Sequence, residues 1–108
     1  MNITFLFIIA FLLTVLIEFI VAAIYIKKDP LIIFLAIFLI NLITNPIMNY
    51  LYIYESVNLV VLETAVIAVE SILITPLLRL PYLRALMLSI IMNLLSFGLG
   101  SLIMQNFF

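Results

Sequence analysis

The chain contains no cysteine, no histidine and no tryptophan. Without the first two there are no disulfides, no thiolate or imidazole metal sites, no Cys- or Ser/His-based nucleophilic catalysis and no histidine proton switch. Charge is scarce too: 8% of the 108 residues are Asp, Glu, Lys or Arg, against roughly 25% in soluble domains. Only four bases are present and they are scattered, which excludes nucleic acid as a partner, since that contact needs clustered Lys and Arg. Neither an enzyme nor a bound cofactor or metal centre is expected.

What remains is apolar. Hydrophobic residues make up 69% of the chain and the mean hydropathy is +1.54, where soluble domains hold roughly 45–50% apolar residues. A composition of this kind has the lipid bilayer as its solvent. At about 20 residues per crossing, four helices and three short loops use up the whole chain. The expectation is a single all-α domain over residues 1–108, an integral membrane four-helix bundle.

The apolar runs predict spans over residues 3–26, 31–54, 59–78 and 85–104, the last ending raggedly at Gln105-Asn106-Phe107-Phe108. They are separated by Lys27-Lys28-Asp29-Pro30, by Tyr54-Glu55-Ser56-Val57-Asn58 and by Arg79-Leu80-Pro81-Tyr82-Leu83-Arg84. The first run is too long for a secretory signal and lacks a basic start and a small-residue cleavage site. No internal repeat is visible along the chain. Lys27, Lys28, Arg79 and Arg84 occupy the first and third loops, which share a face only if the chain crosses four times. Bases in short loops are retained on the cytoplasmic side, so a multi-pass protein of the cell membrane with both termini non-cytoplasmic is expected. Tyr50, Tyr52 and Tyr54 then fall at the outer interface and Tyr25 and Tyr82 at the inner one, where amphipathic rings prefer to sit.

Each span carries polar residues on one face. Asn41, Asn45 and Asn49 recur at i, i+4 and i+8, Glu63 and Glu70 at i and i+7, and Ser89, Asn93, Ser96 and Gly100 trace a narrow seam on the fourth span. Counting about 1.5 Å per residue from each midpoint puts Glu18, Asn41, Glu70 and Asn93, from four different spans, near one level. Glu63, Asn45 and Asn49 lie further out. The candidate ion- or proton-binding residues are therefore Glu18, Glu70, Glu63, Asn41, Asn45 and Asn93.

Energetics single out the acids. The twelve Leu, Ile and Val residues of the third span contribute about −4 to −7 kcal/mol to insertion, and two acids oppose that by about 5 if Glu behaves as Asp does. That span is marginal alone and needs partners for Glu63 and Glu70. No base is available, because all four lie in loops. Desolvation disfavours a bare carboxylate, so protons, Asn hydrogen bonds, water or a bound monovalent cation must keep these acids in lipid. Pro46 interrupts the second span and leaves the Leu42 carbonyl without a donor. A kinked span, with Pro46 as a hinge, is preferred over a re-entrant arm, and the freed carbonyl is expected to enrich the oxygen environment around Asn41 and Asn45.

In outline the chain resembles the small multidrug-resistance transporters, which share four helices, a similar length and a membrane-embedded Glu in the first helix, at the position of Glu18. Their glycine-rich third helix and Trp-containing segments are absent, and no other residue carries over. Thr44-Asn45-Pro46 is similar to the Asn-Pro-Ala motif of aquaporins, with Ile47 in place of Ala and no second copy.

The leading functional expectation is a small cation- or proton-coupled transporter or channel working as a homo-oligomer, two subunits surrounding a cavity lined by the buried Glu and Asn residues. The alternative is an accessory or assembly subunit that docks its polar helix faces onto a larger membrane complex, whose bases would neutralise the acids. A lipid-acting intramembrane enzyme is disfavoured, because phosphate chemistry calls for Arg or Lys beside a metal.

Overall fold

The computed structural model describes residues 3–107; residues 1, 2 and 108, the two extremes of the expected domain, lie outside the described residues. Four helices follow in order: α1 (Ile3–Tyr25), α2 (Pro30–Tyr54), α3 (Leu59–Leu78) and α4 (Tyr82–Phe107). All four are long and apolar enough to cross a membrane. The bundle measures 38 Å along its longest axis, enough to cover a hydrocarbon core of about 30 Å.

The turns explain the boundaries. Asp29 accepts a hydrogen bond from the Leu31 backbone N–H at 3.0 Å, and Pro30, whose ring pre-sets φ, starts α2. Asn58 caps α3 in the same manner, accepting from the Val60 N–H at 2.8 Å. At the far end of α3, Arg79 takes the left-handed conformation (φ 53°, ψ 48°), and the Thr75 carbonyl receives the N–H groups of both Arg79 and Leu80. This is a C-cap that usually employs glycine.

The first two helices differ from the sequence reading by one residue at a single end each, and both ends of the fourth differ by three. The fourth helix starts at Tyr82 instead of residue 85, because the Pro81 carbonyl already accepts the Ala85 N–H. Arg84 is accommodated in that first turn by laying its guanidinium over the Tyr25 ring, 5.2 Å from the centroid. The end expected to be ragged is helical to Phe107.

Helices pack as a ring, each on its two chain neighbours and α4 back on α1. Alternate helices run in opposite directions, so the loop after α1 and the loop after α3 meet at one end. Lys28 donates there to the Leu78 and Arg79 carbonyls, and Lys27, Arg79 and Arg84 lie at the same end. The opposite end holds the middle loop with Tyr50, Tyr52 and Tyr54. Near the basic end the interior is apolar: Ala22, Ile26, Ile33, Ile74, Leu78 and Ala85 are essentially inaccessible. The outer surface is also apolar, with Ile24, Val60 and Leu83 each more than 70% exposed.

The structure does contain an internal repeat. A shift of 52 positions carries Pro30, the start of α2, onto Tyr82, the start of α4, and Lys27 onto the helix-capping Arg79. The same shift carries buried Ala22, Ile26, Ile33, Ala36 and Ile40 onto buried Ile74, Leu78, Ala85, Leu88 and Met92. The hairpin α1–α2 and the hairpin α3–α4 thus bury matching positions in this part of the bundle. The repeat escapes the sequence because most of these pairs differ in identity within a uniformly apolar alphabet.

Candidate functional site

Midway along the bundle the apolar interior gives way to a closed ring of side-chain hydrogen bonds. Glu18 on α1 accepts from the Asn41 amide on α2 at 2.9 Å and from the Ser96 hydroxyl on α4 at 3.1 Å. Glu70 on α3 accepts from the Asn93 amide on α4 at 2.8 Å and from the Thr44 hydroxyl on α2 at 3.0 Å. All four helix interfaces are crossed, and each of the four carboxylate oxygens has one donor. Glu18 and Glu70 are 1% exposed, Asn41 2% and Asn93 5%.

Local sequence positions these groups. Asn41 gives its second amide hydrogen to the Ile37 carbonyl at 3.0 Å, and Asn93 gives its second to the Ser89 carbonyl at 2.8 Å. Those i−4 carbonyls fix which end of each amide is nitrogen and aim it across the interface. Thr44 and Ser96 lie three residues beyond the two Asn residues, on the same helix face, and the Ile40 carbonyl stands 3.1 Å from the Thr44 hydroxyl as an alternative acceptor for its one proton. The carboxylates offer acceptors alone when ionised and the neighbouring side chains supply donors, so the polar groups are satisfied without a base. Among the described residues, no side-chain nitrogen or oxygen sealed from solvent lacks a partner.

Above this ring, toward the end without bases, a cavity of about 320 Å³ opens. Its floor is Glu18, Glu70, Asn41 and Asn93; its walls include Thr14, Asn45, Asn49 and Glu63; it reaches the surface near Tyr52 and Ser101. Glu63 is only partly buried and has no hydrogen-bond partner among the described residues. Asn49 donates to Asn45 at 3.1 Å, so Asn45 belongs to the wall and touches neither carboxylate.

The structure therefore brings Glu18, Glu70, Asn41 and Asn93 together at the level expected, and places Glu63, Asn45 and Asn49 further along the same cavity. The sequence reading passed over Thr44 and Ser96 as carboxylate partners. Their signal was a hydroxyl at i+3 from each Asn. The oxygen environment expected from Pro46 is not formed. Pro46 and Leu42 are both exposed on the outer face of α2, because one residue beyond Asn45 turns about 100° around the helix. The α2 helix is continuous through Pro46, so a re-entrant arm ending there is not formed either.

No group of three or more acidic side chains that could hold a metal ion is present among the described residues. Comparison with known protein families, with curated proteins and with solved structures finds no match for this chain.

Proposed function

We propose that this chain is a multi-pass protein of the cell membrane that binds a proton or monovalent cation at Glu18 and Glu70 and moves it across the bilayer, as a small cation- or proton-coupled transporter. The basic end is cytoplasmic, following the retention of Lys and Arg on that side, and the cavity opens outward. The observation carrying the reading is the polar cavity itself: it ends on two carboxylates that have no base within reach. Intramembrane acids turned toward a cavity mark ion or proton paths.

Below the carboxylates the apolar plug of Ala22, Ile33, Ile74 and Ala85 closes the way to the basic end. A carrier that opens its two ends in turn fits this shape better than a continuously open channel. The cavity is enclosed by one chain, so the binding step needs no second copy, and a homo-oligomer would serve packing or gating. The docking alternative draws no support from burial. Glu18, Glu70, Asn41 and Asn93 face one another, and a partner helix would meet those four only by parting the bundle.

Proteoliposomes that carry a pH-sensitive dye, or that are equilibrated with radioactive sodium, test the reading. Glu18→Gln and Glu70→Gln are expected to abolish gradient-driven flux, and Glu63→Gln to lower it by a smaller factor, since Glu63 lines the approach. Wild-type liposomes that pass neither ion, or unchanged flux in both floor variants, would refute it.

A further inference from the structure

The repeat that relates the two hairpins does not stop at the apolar contacts. The shift of 52 positions carries Glu18 onto Glu70, Asn41 onto Asn93 and Thr44 onto Ser96. The acid-to-Asn separation within each hairpin is 23 residues in both. The bonds obey the same symmetry: each carboxylate is held by the Asn of its own hairpin and by the hydroxyl of the other. We infer that the ring is one two-fold symmetric site, built twice from a Glu, an Asn and a hydroxyl, that takes up a single positive charge, a proton or an alkali cation, on the axis between Glu18 and Glu70.

This rests on the proposed ion-binding role and specifies its geometry and stoichiometry. Glu18 and Glu70 each reach α2 and α4 at residues one turn apart, Glu18 at Asn41 and Ser96 and Glu70 at Thr44 and Asn93, so the two carboxylates stand at one level of the bundle. A second, independent feature points to an occupant. The Asn41 and Asn93 amides spend both hydrogens on Glu and backbone oxygens, which leaves their own carbonyl oxygens without a donor among the described residues. Among the described residues every side-chain nitrogen or oxygen sealed from solvent has a partner, so these two oxygens border the cavity that both residues line. Four oxygen-bearing side chains, two from each hairpin, thus surround the axis at the cavity floor. Parallel repeats related by an axis along the membrane normal place binding sites at the repeat interface in this way.

Two carboxylates held at one level by the same two helices interact as a pair and hold a shared charge in common. The titratable groups facing them are few. From α2 and α4, Asn41, Thr44, Asn93 and Ser96 meet them, none of which titrates, and Tyr52 of α2 stands at the cavity mouth; from α1 and α3 come the two acids themselves and Glu63. Glu63 breaks the symmetry, since its counterpart by the 52-residue shift is Phe11. The rest of the wall diverges likewise: Asn45 corresponds to Phe97 and Thr14 to Val66. Equivalence is confined to the floor and the plug beneath it.

The test is a titration of carboxyl infrared bands in nanodisc-embedded protein on a Glu63→Gln background, first in alkali-free buffer and then with sodium or potassium. Glu18→Gln and Glu70→Gln are expected to lose equal band intensity and to leave superimposable titration curves, both displaced from the parent in the same direction. The exchange Thr44→Ser with Ser96→Thr is expected to leave the parent curve and the midpoint of thermal unfolding unshifted. An alkali ion that displaces the carboxyl proton identifies that ion as the occupant, and no displacement identifies the proton. Unequal curves from the two single variants, titration confined to one of the acids, or a shift on hydroxyl exchange would overturn the inference. A symmetric titration accompanied by no flux in proteoliposomes would sink the transport reading and leave the paired site standing.

Discussion

Asn41 and Glu18 are joined across the α1–α2 interface at 2.9 Å, and the same amide is pinned to its own helix through the Ile37 carbonyl at 3.0 Å. The side chain therefore cannot turn away from the carboxylate without giving up a second hydrogen bond.

Asn41→Ala is accordingly expected to destabilise the bundle by about 1–2 kcal/mol. Interhelical hydrogen bonds in membranes average about 0.6 kcal/mol and reach about 1.7, and an acceptor left unpaired adds to the loss. Asn93→Ala should weaken it by a similar amount, since Asn93 makes the equivalent pair of bonds to Glu70 and Ser89 at 2.8 Å. Reversible unfolding in mixed micelles measures both. A destabilisation near zero for either variant would show that the ring does not hold the hairpins together.

How far this site was legible in the sequence depends on the kind of signal. The level of Glu18, Asn41, Glu70 and Asn93 followed from counting residues, because rise per residue is fixed and each run had a clear midpoint. The partners of the acids did not. The polar stripe on α2 contains Asn41, Asn45 and Asn49 with equal claims, and only the packing shows that Asn41 meets a carboxylate while Asn45 is engaged by Asn49. Pro46 misled because its effect depends on which way it faces, and rotation relative to neighbours is set by tertiary contacts. The repeat was invisible for another reason: its apolar members exchange freely in lipid-facing and core positions, as Ala22 and Ile74 or Ile33 and Ala85 do, while the chemically informative matches are few and widely spaced.

Gly100 offers a way to separate stability from function. It lies in the interior of α4 on the cavity wall, and a Cβ built there would meet nothing within 4 Å. Gly100→Ala is expected to stabilise the helix by about 0.5–1 kcal/mol, the ordinary gain from removing backbone freedom. Gly100→Leu should retain much of that gain while its side chain fills the path to Glu18 and Glu70. The expected outcome is a protein at least as stable as wild type with flux reduced several-fold, read by the unfolding and proteoliposome assays together. Undiminished flux in a stable Gly100→Leu variant would show that ions do not approach through this cavity.

The direction in which the cavity opens rests on the bases, and the absence of cysteine makes it straightforward to test. Ser56 lies in the middle loop and Pro81 in the loop at the basic end, and both are exposed, so a single cysteine introduced at either site reports on one face of the membrane. A membrane-impermeant maleimide applied to intact cells is expected to label Ser56→Cys at once and Pro81→Cys only after permeabilisation. Replacing Lys27 and Lys28 by Gln while adding two lysines to residues 55–58 should move part of the population to the reverse pattern, since orientation follows the balance of Lys and Arg between short loops. Arg79 and Arg84 remain at the original end in that variant and oppose complete inversion, so a mixture is expected. Labelling of wild-type-charge Pro81→Cys in intact cells, with Ser56→Cys protected, would place the cavity mouth in the cytoplasm and require the proposed ion to enter from inside.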